Sequence, residues 1–405
     1  MLHMHPNGAL LLLNNCLSRQ GYYTSQPSTT IVAETASRGC DGETGMFIFN
    51  TWYIAAEPAE LNDGRIVGRT LLGKRIAMYR GESGQLVAIE DACPHRKVPL
   101  SLGSVVGDGV RCAYHGAEFG ADGRCIKVPG QKAVPPRAIV RTYSVIERHG
   151  YIWIWLGDDE AAADESSIPD GFWVSGDSSW IGGYGHMESI KADYRLINDN
   201  LFDITHAEFV HPESFGGQEV QFYRNARPGS EFVDRGMSFE IDANSIRFRV
   251  HAAALGNEGG PLWRSMLAQS RGKEEWHEPI DFRMEVIWWP PCYTSFHISV
   301  RPMGEPDVEP VEIYNLHAAV PETTKSSHYF YRSVRNYGDT SMNAIFTDAA
   351  NFVFNQDKPI LEGQQAVLGE RDLLETDPIS FAGDRLPLEG RRILERLLTA
   401  EQAEG

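Results

Sequence analysis

The sequence predicts two domains of different class, an all-β domain over residues 46–157 and an α+β domain over residues 158–405. Three observations carry this. A chain of 405 residues is long enough for two domains. Between Met46 and Gly157 the runs "RIAMYRG", "LVAIED", "YSVIERHG" and "YIWIWLGD" are short, rich in β-branched and aromatic residues, and punctuated by Gly and Asp. Beyond them, strand-like alternation shares the chain with helical spacing, the mark of an α+β domain.

Residues 1–45 are rich in Ser, Thr, Gly and Asn, and read as a poorly ordered extension, with Met46 offering an alternative start. The apolar core of "GALLLLNNCL" is only about five residues, with no Lys or Arg before it, too little for a secretory signal or a bilayer span. "DDEAAADESS", residues 158–167, is an acidic surface connection between the domains. "RLINDNLFDITHAEFVH", residues 195–211, sets Leu196, Ile197, Leu201, Ile204, Phe209 and Val210 at mostly helical spacing. "SFEIDANSIRFRVHAAAL", "FRMEVIWWPPCYTSFHISV" and "VEIYNLHAAV" alternate like strands. "FNQDKPILEGQQ" places Asp357 at the head of an apolar helix, and "LPLEGRRILERLLTAEQ" is an amphipathic helix.

The hydrophobic share of 42% supports sizeable cores. A net charge of −18 argues against nucleic acid, whose phosphates it would repel, and suits a protein that handles small molecules. Six cysteines in so long a chain are no disulfide framework. Cys93 and Cys112 belong to a motif, and the other four read as free thiols in a reducing cytoplasm, away from any membrane.

That motif is "CPHRKVPLSLGSVVGDGVRCAYHGAEF", residues 93–119. Cys93/His95 and Cys112/His115 form C-x-H and C-x-x-H pairs, as two similar loops gripping one object would. Structural zinc is the plain alternative, but zinc modules commonly pair cysteine with cysteine. Two thiolates on one iron and two imidazoles on the other make a Rieske [2Fe–2S] centre, whose neutral imidazoles raise the potential. Tyr114 is placed to pack beside the cluster, and Gly116 permits the close turn. Arg96, Lys97 and Arg111 form a basic patch there that would steer an acidic electron-transfer partner.

A cluster that moves single electrons needs a second centre to use them. "NDNLFDITHAEFVHP", residues 198–212, offers Asp203, His206 and His211. The histidines are five apart, off the i/i+4 spacing of one helix face, so a widened turn or a helix end near His211 must bring them together. Two histidines and one carboxylate form the facial triad of non-haem Fe(II) oxygenases. Asp357 is the candidate third ligand, with Asp348 and Glu362 its local competitors.

At this point the chain resembles the α subunits of Rieske non-haem iron oxygenases from Met46 to the C-terminal helix, and is most similar to vanillate O-demethylase oxygenase subunits, with dicamba O-demethylase also close. The stretches that carry the resemblance are "NTWYIAAEP", "CPHRKVPLSLG", "CAYHGAEF", "VPGQ", "GGYGH", "DNLFDITHAEFVH", "VRNYG", "QDKPILEGQQ" and "RRILERLL". Ala117 departs from the bulky residue often found there. The resemblance implies an all-β Rieske domain followed by an α+β helix-grip (START-like) catalytic domain. It implies a head-to-tail homotrimer in which one subunit's cluster serves its neighbour's iron, with Asp203 as the bridging acid. Asn200 matches an Asn close to the iron. NADH electrons would arrive through a separate reductase carrying flavin and a ferredoxin-type cluster. The implied reaction uses O2 to demethylate a methoxylated aromatic acid such as vanillate. A ring-hydroxylating dioxygenase acting on an aromatic carboxylate is the alternative. His317 aligns with a strand whose His faces the substrate, or is a structural strand residue. "WWPPCY", residues 288–293, lines a wall or belongs to the core.

Overall fold

The computed structural model describes residues 46–159, 162–203, 206–211, 237–241, 246–257, 261–381 and 384–404. The expected N-terminal extension lies outside them. Among the described residues, no helix is long and apolar enough to cross a membrane.

The first domain is built from eleven short strands and 3₁₀ turns, with no α-helix. β1 (Trp52–Ala56), β10 (Val145–Arg148) and β11 (Tyr151–Trp155) form one antiparallel sheet with β11 central. "WYIAA" and "YIWIW" are buried at every position, which is why they read as continuous apolar runs instead of alternating. β2 (Ile66–Leu71), β3 (Lys74–Arg80), β4 (Leu86–Glu90) and β9 (Thr142–Tyr143) form a second sheet. β5 (Ser104–Val106), β6 (Gly109–Arg111), β7 (Glu118–Phe119) and β8 (Cys125–Lys127) form a third, smaller one.

The second domain has a seven-stranded antiparallel sheet of β12 (Ile181–Ile190), β13 (Met237–Ile241), β14 (Ile246–Asn257), β15 (Ile280–Trp289), β16 (Tyr293–Pro302), β17 (Val311–Thr323) and β18 (Ser326–Arg335). Its order is β12-β18-β17-β16-β15-β14-β13, a meander closed at one edge by the first strand. The described helices are α1 (Tyr194–Phe202), α2 (Ala207–Val210), α3 (Pro261–Ser270), α4 (Asn343–Leu368) and α5 (Arg385–Glu404). α4 packs along β12 and β18, and α1 packs on α5. "WWPPCY" is core, not wall: Trp288, Trp289, Cys292 and Tyr293 are all buried in the main apolar cluster.

Two helix boundaries differ from the sequence reading. The helix expected over 195–211 stops at Phe202, where Asp203 turns extended (φ −96°, ψ 90°), and a short helix follows at Ala207–Val210. The chain therefore breaks before His206, and a helix end also lies at His211, as expected. Asp357 is not at the head of its helix but well inside α4. Pro359 reads as a helix start because Pro suits the first turn. Here it sits mid-helix, where its missing N–H removes one hydrogen bond. The buried row Asp357, Leu361, Gln365 and Leu368 runs through it along one face and holds the helix to the sheet.

The two domains share one core. Trp153 of β11, Phe172 of the connection and Tyr293 of β16 meet with ring centroids 5.3–5.9 Å apart. The Tyr293 hydroxyl donates to the Trp52 carbonyl at 2.7 Å and accepts from the Ile54 amide at 3.2 Å. Each such bond contributes about 1 kcal/mol net, and stranding a buried partner costs more. The β2–β3 turn adds Leu72 and Gly73 amides donating to the Pro321 and Glu322 carbonyls.

Glu57 lies in this interface. Burial, with Glu60 adding to it, pushes its carboxyl up from 4.5 to about 7 against the opposing pull of Arg69 and Arg332. A raised acid contributes stability that is fully present below the unfolded value and is lost as pH rises through the folded one. The expected result is that the melting temperature of the parent falls relative to that of Glu57→Gln between about pH 5 and about pH 8. Thermal melts across that range check it, and a pH-independent difference would rule it out.

Candidate metal centres

The two ligand loops of the first domain are built alike. In the first, the Cys93 amide donates to the Val98 carbonyl at 2.9 Å, and the Lys97 amide donates to the Cys93 carbonyl at 2.7 Å. In the second, Cys112 donates to Ala117 at 2.8 Å and Gly116 to Cys112 at 3.0 Å. Both loops turn back through a positive φ, 56° at Lys97 and 71° at Gly116. Only the second uses glycine for it. C-x-H and C-x-x-H are thus two fillings of one backbone frame.

Cys93 and Cys112 are buried and not disulfide-bonded, while His95 and His115 are exposed, their rings 4.6 Å apart. Burial chiefly, with the adjacent Cys112, pushes the Cys93 thiol up. Two thiols facing one another on the inside and two imidazoles at the rim fit a cluster with inner and outer iron. Tyr114 packs against His115, with ring centroids 3.9 Å apart and planes tilted by 42°. A buried carboxylate that the sequence did not flag closes the first loop: Asp91 accepts from the Ser101 amide at 2.7 Å and hydroxyl at 2.8 Å, bracketing residues 93–99. The basic patch is weaker than expected. Arg111 pairs with Glu118 across β6–β7 at 2.8 Å, and Lys97 lies 3.7 Å from Glu90.

In the second domain the break after α1 turns His206 and His211 toward α4. Together with Asp357 they present ligand atoms within 4.8 Å of one another. His206 Nε2 is 3.5 Å and His211 Nε2 3.1 Å from Asp357 Oδ1. Adjacent ligands about 2.1 Å from one metal stand roughly 3 Å apart in octahedral geometry, so the set is close to metal-binding spacing. Both imidazoles donate from the other nitrogen. His206 Nδ1–H goes to the Asp203 backbone carbonyl, and His211 Nδ1–H goes to Gln356 Oε1 at 2.9 Å. The Nε2 atoms are therefore left to face the carboxylate.

Burial disfavours a charged His211, yet its hydrogen bonds to Asp357 and Gln356 outweigh burial and raise its pKa. A proton is drawn to the point where a cation would sit, so the donor set fits a divalent metal. Asn200 donates to Asp357 Oδ1 at 3.2 Å and lies 3.3 Å from His206 Nε2. His206 is thus held by the backbone carbonyl of Asp203, the residue that the resemblance makes the bridging acid. Asp348 and Glu362 are not in this group of three.

One turn before Asp357, Phe354 packs on His317 and Tyr329 with ring centroids 5.5 and 5.0 Å away. Phe296 stands edge-on to His317 at 5.2 Å. His317 Nδ1 hydrogen-bonds the Tyr329 hydroxyl at 2.8 Å. Burial lowers the imidazole to about 3, so it is neutral and offers a hydrogen bond, not a charge. Burial first, and the nearby Asp357 charge second, push the Tyr329 phenol well above its usual range. His317 thus lies in a buried aromatic cluster next to Asp357.

Comparisons with known proteins bear on both domains. Residues 51–144 match the family model for the Rieske [2Fe-2S] domain, and residues 190–400 that for the vanillate O-demethylase oxygenase C-terminal domain. The chain is 33% identical over 365 residues to the oxygenase component of dicamba O-demethylase from Stenotrophomonas maltophilia, covering 88% of this chain and 99% of that one. It is 31% identical over 366 residues to a toluene-4-sulfonate monooxygenase system iron-sulfur subunit from Comamonas testosteroni, covering 88% and 98%. The crystal structure of dicamba monooxygenase bound to 3,6-dichlorosalicylic acid superposes with a TM-score of 0.73 at 30% identity, covering 88% of this chain and 99% of that one.

Proposed function

The chain belongs to the Rieske non-haem iron oxygenases that carry the vanillate O-demethylase oxygenase C-terminal domain, and on that premise we propose that it demethylates a methoxylated aromatic acid of the vanillate class. It is the oxygenase component of a monooxygenase system, with a Rieske cluster, a mononuclear iron and a reductase partner. In our reading Cys93, His95, Cys112 and His115 hold the cluster, and His206, His211 and Asp357 hold the iron. The reductase takes its electrons from NADH, and the oxygenase works as a head-to-tail homotrimer. Asp203 then bridges His206 and His115 of the partner subunit.

The observation that carries the substrate reading is the aromatic wall of Phe296, His317, Tyr329 and Phe354 beside Asp357. Flat rings bury well against such a wall. A neutral His317 orients an oxygen of the substrate by one hydrogen bond, which suits a carboxylate or phenol edge. With both metals bound, the cluster supplies single electrons and the iron the O2 chemistry that oxidises a methyl C–H. Hydroxylation of an aryl methyl ether gives a hemiacetal, which collapses to the phenol and formaldehyde. Asn200 steadies the Asp357 carboxylate through the cycle.

Product analysis with reductase, NADH and a panel of methoxylated benzoic acids tests this. Formaldehyde equimolar with phenol is expected. Retention of the methoxy group with a cis-diol product would instead establish ring dioxygenation. His317→Phe should raise KM about 10-fold, as expected for the loss of one orienting hydrogen bond, with formaldehyde still equimolar.

A further inference from the structure

We propose that Gln356 is a positioning residue for the mononuclear iron, fixing the tautomer and ring plane of His211 by accepting its Nδ1–H. The inference rests on the reading of His211 and Asp357 as iron ligands. The two histidines are held differently. His206 finds its acceptor within its own segment, at the Asp203 carbonyl. His211 stands at the C-terminal end of four-residue α2, with φ −120° and ψ 44°, outside regular helix. It reaches 145 residues along the chain for its acceptor, Gln356 Oε1 at 2.9 Å.

His211 is 2% exposed, so bulk water is a poor substitute for that acceptor. Turning the ring by half a rotation would exchange Nδ1 for a carbon and strand the N–H. The Gln356 bond selects the orientation that leaves Nε2 facing Asp357 Oδ1, 3.1 Å away. Gln356 and Asp357 are consecutive on α4, so one turn supplies both a ligand and the group that aims another. If α4 shifts, Asp357 and the acceptor that aims His211 move together. An amide does this without placing a second negative charge beside Asp357.

The test uses purified protein stripped of its mononuclear metal by a chelator, with the Rieske absorption checked to be intact. Co(II) is titrated in, and bound metal is read by equilibrium dialysis and by the visible Co(II) bands. Gln356→Met keeps side-chain length but has no oxygen acceptor. It should weaken Co(II) binding about 10–100-fold and alter the bands, with the melting temperature of the metal-free protein unchanged. Gln356→Glu keeps an acceptor, and should bind Co(II) at least as tightly as the parent. Parental affinity in Gln356→Met would overturn the proposal. Equal weakening in Gln356→Glu would overturn it too, since the loss would then come from packing. Should Gln356→Met not fold, Gln356→Ser, too short to reach the ring, takes its place, and the same two outcomes decide. Asp357→Ala in the same titration separates the two readings. If it binds Co(II) as the parent does, the ligand assignment falls. If it loses the metal while Gln356→Met keeps it, only the role of Gln356 falls.

Discussion

Asp357→Ala should leave the Rieske cluster at full occupancy and remove the mononuclear iron, taking turnover with it. Asp357 is 7% exposed and is the only anion in the set of His206, His211 and Asp357. Without it, two neutral imidazoles remain, and two ligands hold a divalent ion poorly. The Asn200 amide also loses its acceptor. Changes one shell further out reduce metal affinity about 10–100-fold, so loss of a ligand should exceed that. Iron analysis against acid-labile sulfide gives the readout, with the parent showing three irons per two sulfides and the variant two. A variant that keeps the third iron would show that the carboxylate ligand lies elsewhere in the chain.

Asp203→Asn should behave oppositely, keeping both metals and losing turnover. The backbone of Asp203 does the structural work. Its amide donates to the Asp199 carbonyl at 3.0 Å, and its carbonyl takes the His206 Nδ1–H. Both survive a change of side chain, so iron should stay. What is lost is the carboxylate, which in the trimer reading faces the cluster of a neighbouring subunit. Proton transfer through a positioned side chain is worth about 10²–10⁴-fold, and reoxidation of the pre-reduced cluster should slow by that much. Stopped-flow absorbance with substrate and O2 follows it. Parental reoxidation with normal product would remove Asp203 from the electron path, and loss of iron would make its carboxylate a ligand.

Much of this was legible in the sequence because the chemistry is written locally. The proposed cluster loops occupy residues 93–119, and the two histidines of the proposed iron site fall within six residues of one another. Their motifs survive as short spacings, whatever the rest of the fold does. The two-domain division was legible for a similar reason, since strand alternation and helical spacing differ in period. What failed depends on partners distant in sequence. Pro359 imitates a helix start, and only the buried row from Asp357 to Leu368 shows that α4 runs through it. The apolar spacing over 195–211 continues across a break fixed by where α4 presents Asp357. Arg111 looked like a free cation because Glu118 meets it only through strand pairing. Gln356 opens the stretch "QDKPILEGQQ" but drew no role there, since that role exists only when α4 comes beside α2.

α5 (Arg385–Glu404) ties the molecule at two points. Arg391 is buried and holds Asp199 at 2.7 Å and Asp372 at 2.9 Å, while Glu401 accepts the Phe49 amide at 2.8 Å, at the start of the first domain. Asp199 directly precedes Asn200, and burial pushes its carboxyl up to about 6 against the pull of Arg391. On the ribosome, every proposed metal ligand emerges before this helix does. A nascent chain ending at residue 384 would hold all seven, yet its α1 would lack both the helix it packs on and the Arg391 that holds Asp199. Domains form in the order they are made, so the cluster loops can close early, whereas the iron side must wait for α5. Metal insertion should follow the same sequence, with iron–sulfur assembly preceding iron capture, and truncation before Arg385 should yield a coloured protein that takes up no third iron.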